Sequence, residues 1–164
     1  AAIVSLLMLL AGAARPYVAF LGRIPGSKRF SDLKRHPDNE ALPGVVIFRV
    51  ESSLLYFNAE HVRQIVEARF AETPGLRLVV CDLSDSPVVD VAGARMLVSL
   101  HAELAKRGVS LRIVEAHSRS RDLLRAEGLE GRVGYLGRHV SVDQVIAEFL
   151  AQAMDTRITP EAHR

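Results

Sequence analysis

One segment of the sequence gathers side chains that could handle a phosphate or another anion. Asp82 and Asp90 lie near the two ends of the segment from Cys81 to Gly93, and Ser84 and Ser86 add hydroxyls between them. The segment joins an apolar run to an amphipathic pattern, so its last residues are expected at a helix N-terminus with free N–H groups. Such a terminus accepts an anion or a phosphorylated side chain. In the alternative, Asp90 only caps the helix and Asp82 hydrogen-bonds the loop.

Other patterns that carry chemistry are missing from the sequence. The single cysteine, Cys81, excludes a disulfide framework and a cysteine-based zinc site. The 6 histidines are scattered, with no pair at metal-binding spacing. Neither a Gly-rich phosphate loop nor a Gly-x-Ser-x-Gly turn occurs. No nucleophile–base pair can be named, so we expect no catalytic residue, no metal and no cofactor, and an enzyme is the least favoured class.

Length and composition indicate one folded domain. The chain has 164 residues, 49% of them hydrophobic and 24% charged, which suits an ordinary core and argues against disorder. The net charge of +2 is too small to indicate nucleic-acid binding by itself. With no tryptophan and 5% aromatic residues, the chain also lacks a stacking platform for single strands. We therefore expect no nucleic-acid partner.

After Gly44, predicted strands alternate with predicted helices, a pattern typical of an α/β domain with a mixed sheet. Apolar runs predict strands at Tyr17–Leu21, Val45–Val50, Leu54–Phe57, Leu76–Leu83 and Val109–Val114. Amphipathic spacing predicts helices within residues 58–73, 94–105, 118–128 and 141–153. The predicted N-caps are Asn58 and either Ser118 or Ser120, and Ser141 with Gln144 predicts a capping box.

The first residues of the chain, 1–14, are apolar except for Ser5. A signal peptide would need a basic segment before them, and a buried helix of a soluble domain would carry a polar face. About 20 apolar residues are needed to cross a bilayer. We favour a third interpretation, in which residues 1–14 are the truncated end of a last transmembrane helix.

A basic segment follows the apolar one. Its basic residues are Arg15, Arg23, Lys28, Arg29, Lys34 and Arg35, with Asp32 as the one acid among them. Basic residues directly after an apolar segment are typical of the cytoplasmic end of a membrane span, and they can rest on anionic lipid head groups. A solvated linker is the alternative. We expect residues 15–44 to be a basic linker that includes the first strand, 45–155 a domain core and 156–164 a flexible tail.

Three motifs follow one another along the chain. They are Val18–Gly26 continuing to Pro37, Pro43–Arg49 followed by Leu54–Glu60 with its Phe-Asn-Ala-Glu end, and Val79–Ser84 with Val89–Gly93. Between Arg15 and Ala153 the sequence resembles the STAS domain, named for sulfate transporters and antagonists of anti-sigma factors. The first two motifs resemble the form at the C-terminal end of SulP anion transporters. The third resembles the loop shared by the family, and we call residues Cys81–Gly93 the signature loop.

The resemblance implies a STAS (SpoIIAA-like) α/β fold, with a mixed, mostly parallel sheet and helices mainly on one face. It also implies a ligand- or partner-binding loop, whose candidate residues are Asp82, Ser84, Ser86, Asp90, Val91, Ala92 and Gly93. Soluble family members carry a phosphorylatable serine just before the loop glycine. Val91 and Ala92 occupy those positions and have no hydroxyl, so a phosphoryl switch is chemically impossible there. Phosphorylation of a neighbouring serine of the loop stays a weaker hypothesis.

The function implied by the resemblance is a non-catalytic regulatory and interaction domain of a multi-pass anion transporter, for sulfate or a related anion. It would lie on the cytoplasmic side of the inner (plasma) membrane. Its expected partners are the membrane domain of the same transporter and a second copy of the chain. The alternatives are a guanine-nucleotide-binding sensor and an anti-sigma antagonist-like protein that lacks the phosphorylatable serine. An acyl carrier protein that meets Arg121 and Arg125 is a further possible partner.

Overall fold

The computed structural model describes residues 2–158 of the chain. The elements are α1 (Ala2–Ala14), β1 (Val18–Arg23), β2 (Phe30–Asp32), β3 (Val45–Val50), α2 (Ala59–Ala71), β4 (Leu78–Asp82), α3 (Val91–Lys106), β5 (Ser110–Val114), α4 (Ser118–Ala126), α5 (Glu130–Val133) and α6 (Val142–Ile158). The tail predicted at 156–164 falls mostly on residues 159–164, which lie outside the described residues.

The strands form one mixed sheet in the order β2-β1-β3-β4-β5. The last three are parallel, and Phe48 of β3 is in register with Cys81 of β4, which is in register with Ile113 of β5. β1 runs antiparallel to both β3 and β2. Parallel strands are covered on both faces, which explains why β3 and β4 are continuous apolar runs. The α/β prediction with a mixed, mostly parallel sheet is confirmed.

Helices cover the two faces of the sheet unequally. One face packs against α2, α3 and α4 in the larger core, where Phe70, Leu100 and Leu124 are almost completely buried. The other face packs against α6, mainly through Val145 and Ile146. This arrangement leaves the carboxyl ends of β3 and β4 open to the connecting loops, and the signature loop begins there.

Two predicted elements differ from the structure. Leu54–Phe57 is not a strand, because Leu54 makes only one isolated bridge, to Val89, before the chain turns into α2. The short strand β2 lies within the predicted basic linker, where no second strand was predicted, and pairs with β1 through Leu21 and Asp32. Both differences have the same cause: three or four residues carry too little periodicity to distinguish a strand from a turn.

Three predicted caps also differ. Asn58 stands at the N-cap position of α2 without a capping bond from its side chain. His117, and neither Ser118 nor Ser120, stands at the N-cap position of α4. Half of the predicted capping box forms, because the Gln144 N–H donates to Ser141 Oγ at 3.2 Å while the Gln144 side chain reaches Glu148 instead. For Asn58 and Gln144, other partners take the side chain that was predicted to cap the helix.

Candidate functional site

Asp82 begins the signature loop and is almost completely buried. Arg49, on the neighbouring strand β3, donates to Asp82 Oδ2 through Nε at 2.9 Å and through its terminal nitrogen at 2.8 Å. The other oxygen, Oδ1, accepts the N–H of Ser84 at 2.9 Å. The parallel register that pairs Arg49 with Asp82 therefore converts this carboxylate into an internal ion pair that shapes the loop.

Asp90 ends the loop as the N-cap of α3. Its Oδ1 accepts the N–H of Gly93 at 2.8 Å, which is the bond expected of a capping aspartate. Its Oδ2 accepts the N–H of Tyr56 at 2.8 Å. Both oxygens are therefore used within the protein, and the helix terminus already holds a negative charge. The geometry matches the interpretation in which Asp90 caps the helix.

The two serines of the loop have different surroundings. Ser86 is completely buried, and its hydroxyl lies 2.8 Å from the carbonyl of Ser52 and 3.1 Å from that of Val50. It fastens the middle of the loop to the end of β3. Ser84 is only half-buried, and its carbonyl lies 3.1 Å from Nε2 of His117. Of the two hydroxyls, only that of Ser84 lies on a residue that solvent reaches.

Gly93 allows the chain segment of residues 51–58 to pass directly over the start of α3. We call this stretch the crossing segment. A Cβ on Gly93 would lie 2.5 Å from the Leu54 carbonyl oxygen. Leu54 also donates its N–H to the Val88 carbonyl at 2.9 Å and accepts from the Asp90 N–H at 3.1 Å. The crossing segment and the signature loop are therefore one hydrogen-bonded unit.

The outer surface of this unit is apolar. Its large exposed side chains are Tyr56, Phe57, Val88 and Val91, and we call them the loop patch. Tyr56 is 75% exposed and packs edge-on against the ring of Phe57, with the ring centroids 5.3 Å apart. Exposed apolar patches of this kind mark contact surfaces for other proteins. The predicted loop thus presents apolar contact area outside, while Asp82 is buried and Asp90 is used as a cap; Asp85 stays exposed, 3.8 Å from Arg49.

Asn58 makes bonds that the sequence pattern did not predict. Its buried side chain accepts the Leu55 N–H at 2.9 Å and donates to the carbonyls of Ser53 at 2.9 Å and Ala13 at 3.0 Å. It therefore joins the crossing segment to the last turn of α1. In the sequence, it stands between Phe57 and Ala59 in the second motif.

Helix α1 is apolar apart from Ser5. Among its residues, Ala2–Ala14, none is buried, and Ile3 and Leu9 are 75% and 72% exposed. Its C-terminal end accepts the Asn58 bond at Ala13. The chain then continues into Arg15, whose N–H donates to the Ala11 carbonyl. Among the helices of residues 2–158, none has both the length and the apolar character to cross a bilayer.

Comparison with known proteins identifies the fold and the family. A family model described as the STAS domain matches residues 36–144. The chain belongs to the STAS domain family. The Arabidopsis thaliana protein "Sulfate transporter 2.1" is 35% identical over 126 residues, a stretch covering 70% of this chain and 19% of that protein.

Two solved structures share the STAS fold with this chain. The murine Solute Carrier 26 family member A9 anion transporter, in its inward-facing state, aligns with 91% of this chain and 24% of its own, with a TM-score of 0.74 and 21% identity. The STAS domain of a SulP transporter from Vibrio cholerae aligns with 75% of this chain and 94% of its own, with a TM-score of 0.57 and 18% identity. The chain spans about a fifth of the length of the curated sulfate transporters that it matches.

At the position of the family's phosphorylatable serine, this STAS domain has an apolar surface. Val91 is 44% exposed and belongs to the loop patch, whereas Ala92 is half-buried in the first turn of α3. Among the described residues, no group of three or more His, Cys, Asp or Glu side chains could hold a metal ion. Burial raises the pKa of the Cys81 thiol far above its ordinary range, so this cysteine is not a thiolate at neutral pH.

Some basic residues of the predicted linker form ion pairs, and others do not. Arg23 pairs with Asp143 at 3.7 Å, and Arg35 lies 3.6 Å from Asp32 and 3.5 Å from Glu51. Lys28 and Arg29 are exposed in the turn between β1 and β2.

Two further arginines, those suggested for an acyl carrier protein, bond within the domain. Arg121 donates to the Ala116 carbonyl, and Arg125 donates to Glu130 and to the Leu136 carbonyl. These bonds hold the segment around α4 and α5 in place. They leave less of each guanidinium for an acidic partner.

Proposed function

We propose that this chain is the regulatory and interaction domain of a SulP-type anion transporter, on the cytoplasmic side of the inner (plasma) membrane. The observation that carries the proposal is the bond between Asn58 and the Ala13 carbonyl, since it ties an apolar helix with no buried residue to the unit that contains the signature loop. The domain acts by contact, and no reaction is assigned to it.

Helix α1 is, in this proposal, the end of the last membrane-spanning helix. Its 13 residues rise about 20 Å at 1.5 Å per residue, compared with the roughly 30 Å of a bilayer core. Burial in lipid accounts for apolar side chains on every side of the helix, which water would disfavour.

The coupling path runs from α1 through Asn58 to the crossing segment and on to the loop. Its links are the Asn58 bonds, the Tyr56 N–H to Asp90, and the two backbone bonds of Leu54. A partner on the loop patch shifts transport only as far as it binds one conformation of the transporter better than another. Linkage then requires the transporter conformation to change the affinity of that partner equally.

The proposed partners are proteins. The loop patch suits the membrane portion of the same transporter or a second copy of this chain, since both bury apolar area without needing a charged pocket. The transported anion is sulfate or a related anion and binds in the membrane portion. Support for sulfate comes from the relatives, which are named sulfate transporters.

The test uses the full-length transporter in proteoliposomes, with sulfate uptake as the readout. Replacing two patch residues, Tyr56→Ser with Val91→Ser, should lower uptake several-fold at equal amounts of folded protein. The matched control is Leu150→Ser with Met154→Ser, which removes exposed apolar side chains from α6 and should leave uptake unchanged. Wild-type protein that transports neither sulfate nor a related anion would overturn the transporter assignment. Equal uptake by both doubles would overturn the patch as a contact surface.

A further inference from the structure

An open cleft of about 660 Å³ lies between the hairpin of β1 and β2 and helix α2, away from the signature loop. Its basic lining comes from Arg15, Lys34, His61 and Arg69, and Tyr17 and Asp32 are the other polar residues that line it. Its apolar lining includes Phe20 and Ile65. The proposed coupling path uses none of these side chains.

The basic side chains of the cleft are mostly unpaired. Among residues 2–154, the side chains of Arg15, Lys34 and His61 make no ion pair or hydrogen bond. The Arg69 guanidinium lies 5.4 Å from the centre of the Phe20 ring, and its pair with Glu72 is long, at 4.0 Å. A stacked guanidinium with a weak acidic partner stays available for an external anion.

The single carboxylate of the lining is already occupied. Asp32 is buried, and its Oδ2 accepts the Tyr17 hydroxyl at 2.6 Å while its Oδ1 accepts the Lys34 N–H at 2.8 Å. Arg35 adds a third contact to the same carboxylate from outside the lining. Asp32 therefore holds the hairpin in place, and the cleft keeps an excess of positive charge.

The cleft lies directly beside the end of α1. Arg15 follows the helix, and its N–H still donates to the Ala11 carbonyl at 3.2 Å. If α1 ends a membrane span, as the proposed function has it, this cleft faces the head groups of the inner leaflet. Lys and Arg near that leaflet are attracted to anionic lipids.

We propose that this cleft binds the head group of an anionic phospholipid. The phosphate meets the side chains of Arg15, Lys34, His61 and Arg69, and the glycerol and first acyl carbons lie on the apolar floor. A basic rim over an apolar floor matches an amphiphilic anion better than it matches a free, fully hydrated phosphate. The proposal rests on the proposed function only for the position of the cleft at a membrane.

The test compares two double variants that remove the same charge. The cleft double is Lys34→Gln with Arg69→Gln. The control double is Lys28→Gln with Arg29→Gln, whose residues lie in the same basic segment but outside the cleft lining. Because Arg69 also packs on Phe20, the single variant Lys34→Gln serves as a second cleft variant with an exposed, unpaired side chain.

The whole chain is placed in phosphatidylcholine nanodiscs, and amide NMR shifts are followed as the fraction of phosphatidylglycerol rises. Shifts at Lys34, His61 and Arg69 should saturate in the wild type and in the control double. The cleft double should bind about thirtyfold more weakly, because it loses two charges at a lipid surface. The single variant Lys34→Gln loses one charge and should bind about fivefold more weakly.

Three results would overturn the proposal. Equal weakening by the two doubles would show diffuse attraction to the whole basic segment. Equal shifts with inorganic phosphate in neutral discs would make the ligand a free anion, and equal shifts in neutral discs alone would leave only apolar contact. If α1 does not insert, the chain does not elute together with neutral discs, and this result is distinguishable from the three above. Binding of that chain to discs that contain phosphatidylglycerol then measures the affinity of the cleft without the contribution of α1.

Discussion

The side-chain amide of Asn58 donates a hydrogen bond of 3.0 Å to the main-chain carbonyl of Ala13, 45 residues earlier in the chain. The same nitrogen donates to Ser53, and the amide oxygen accepts from Leu55. One buried side chain thus satisfies three backbone groups from two segments. It fixes where the apolar helix leaves the domain.

Asn58→Asp should destabilise the chain and release α1. The substitution replaces an NH₂ donor with a carboxylate oxygen that faces two carbonyls, and burial prevents water from compensating. We expect a loss of about 2 to 4 kcal/mol in the free energy of unfolding, measured with urea. Spin labels on α1 and α2 should show a broadened distance distribution.

Asn39→Asp is the matched control for that variant. Asn39 is also buried, and its amide nitrogen donates to the carbonyl and hydroxyl oxygens of Ser31. It should destabilise the chain by a similar amount and leave the α1 to α2 distance unchanged. A broadened distance in both variants would mean that general destabilisation, and not the Ala13 bond, controls α1.

Arg49→Met should destabilise the domain by leaving the buried Asp82 carboxylate without its guanidinium partner. The expected loss is about 2 to 3 kcal/mol, reduced from a fully buried pair because the Arg49 side chain is 25% exposed. Adding Asp82→Asn to Arg49→Met should recover most of it, since the unpaired charge is removed. Urea unfolding of the wild type, the two single variants and the double variant measures this cycle. Strictly additive losses in the free energy of unfolding would contradict a coupling between Arg49 and Asp82.

Gly93→Ala should lower the thermal unfolding temperature, because its new Cβ would meet the Leu54 carbonyl oxygen at 2.5 Å. The crossing segment has to move, and we expect a cost of about 1 to 3 kcal/mol. Gly131→Ala is the control: nothing lies within 4 Å of its added Cβ, and it sits in helix α5. It should be neutral or slightly stabilising. Equal stability of the two variants would show that the crossing is loose.

Cys81 should make the domain less stable at alkaline pH. Burial raises the pKa of its thiol in the folded state, so the thiol stays protonated there while the unfolded chain ionises above its ordinary pKa of about 8.5. The unfolded state then binds fewer protons, and stability falls as pH rises, by about 1.4 kcal/mol per pH unit. Between pH 7 and pH 10 the contribution is about 2 kcal/mol.

The comparison protein for this pH effect is Cys81→Val, which keeps an apolar side chain and has no proton to lose. Urea unfolding of both proteins at the two pH values isolates the thiol, because every other titrating group cancels in the difference. A stability gap that does not change with pH would contradict a buried, protonated thiol. Other groups that ionise at high pH, such as Tyr17, are common to both proteins.

Local pattern was sufficient for the elements whose signals lie within a few residues. The apolar runs of β3 and β4 and the capping aspartate Asp90 can be predicted because burial and capping act over one strand or one helical turn. The absence of a hydroxyl at Val91 and Ala92 is likewise a property of the sequence alone. These features predicted the α/β fold and the place of the signature loop.

Partner choice was decided only in three dimensions. Asn58 reads as a helix cap, and it became the anchor of α1 because the fold brings the Ala13 carbonyl to it. Six basic residues read as one lipid-facing segment, and the fold pairs Arg23 with Asp143 while Lys34 joins His61 and Arg69 around a cleft. A side chain bonds to the nearest good partner in space, and sequence spacing cannot show which groups tens of residues away that will be.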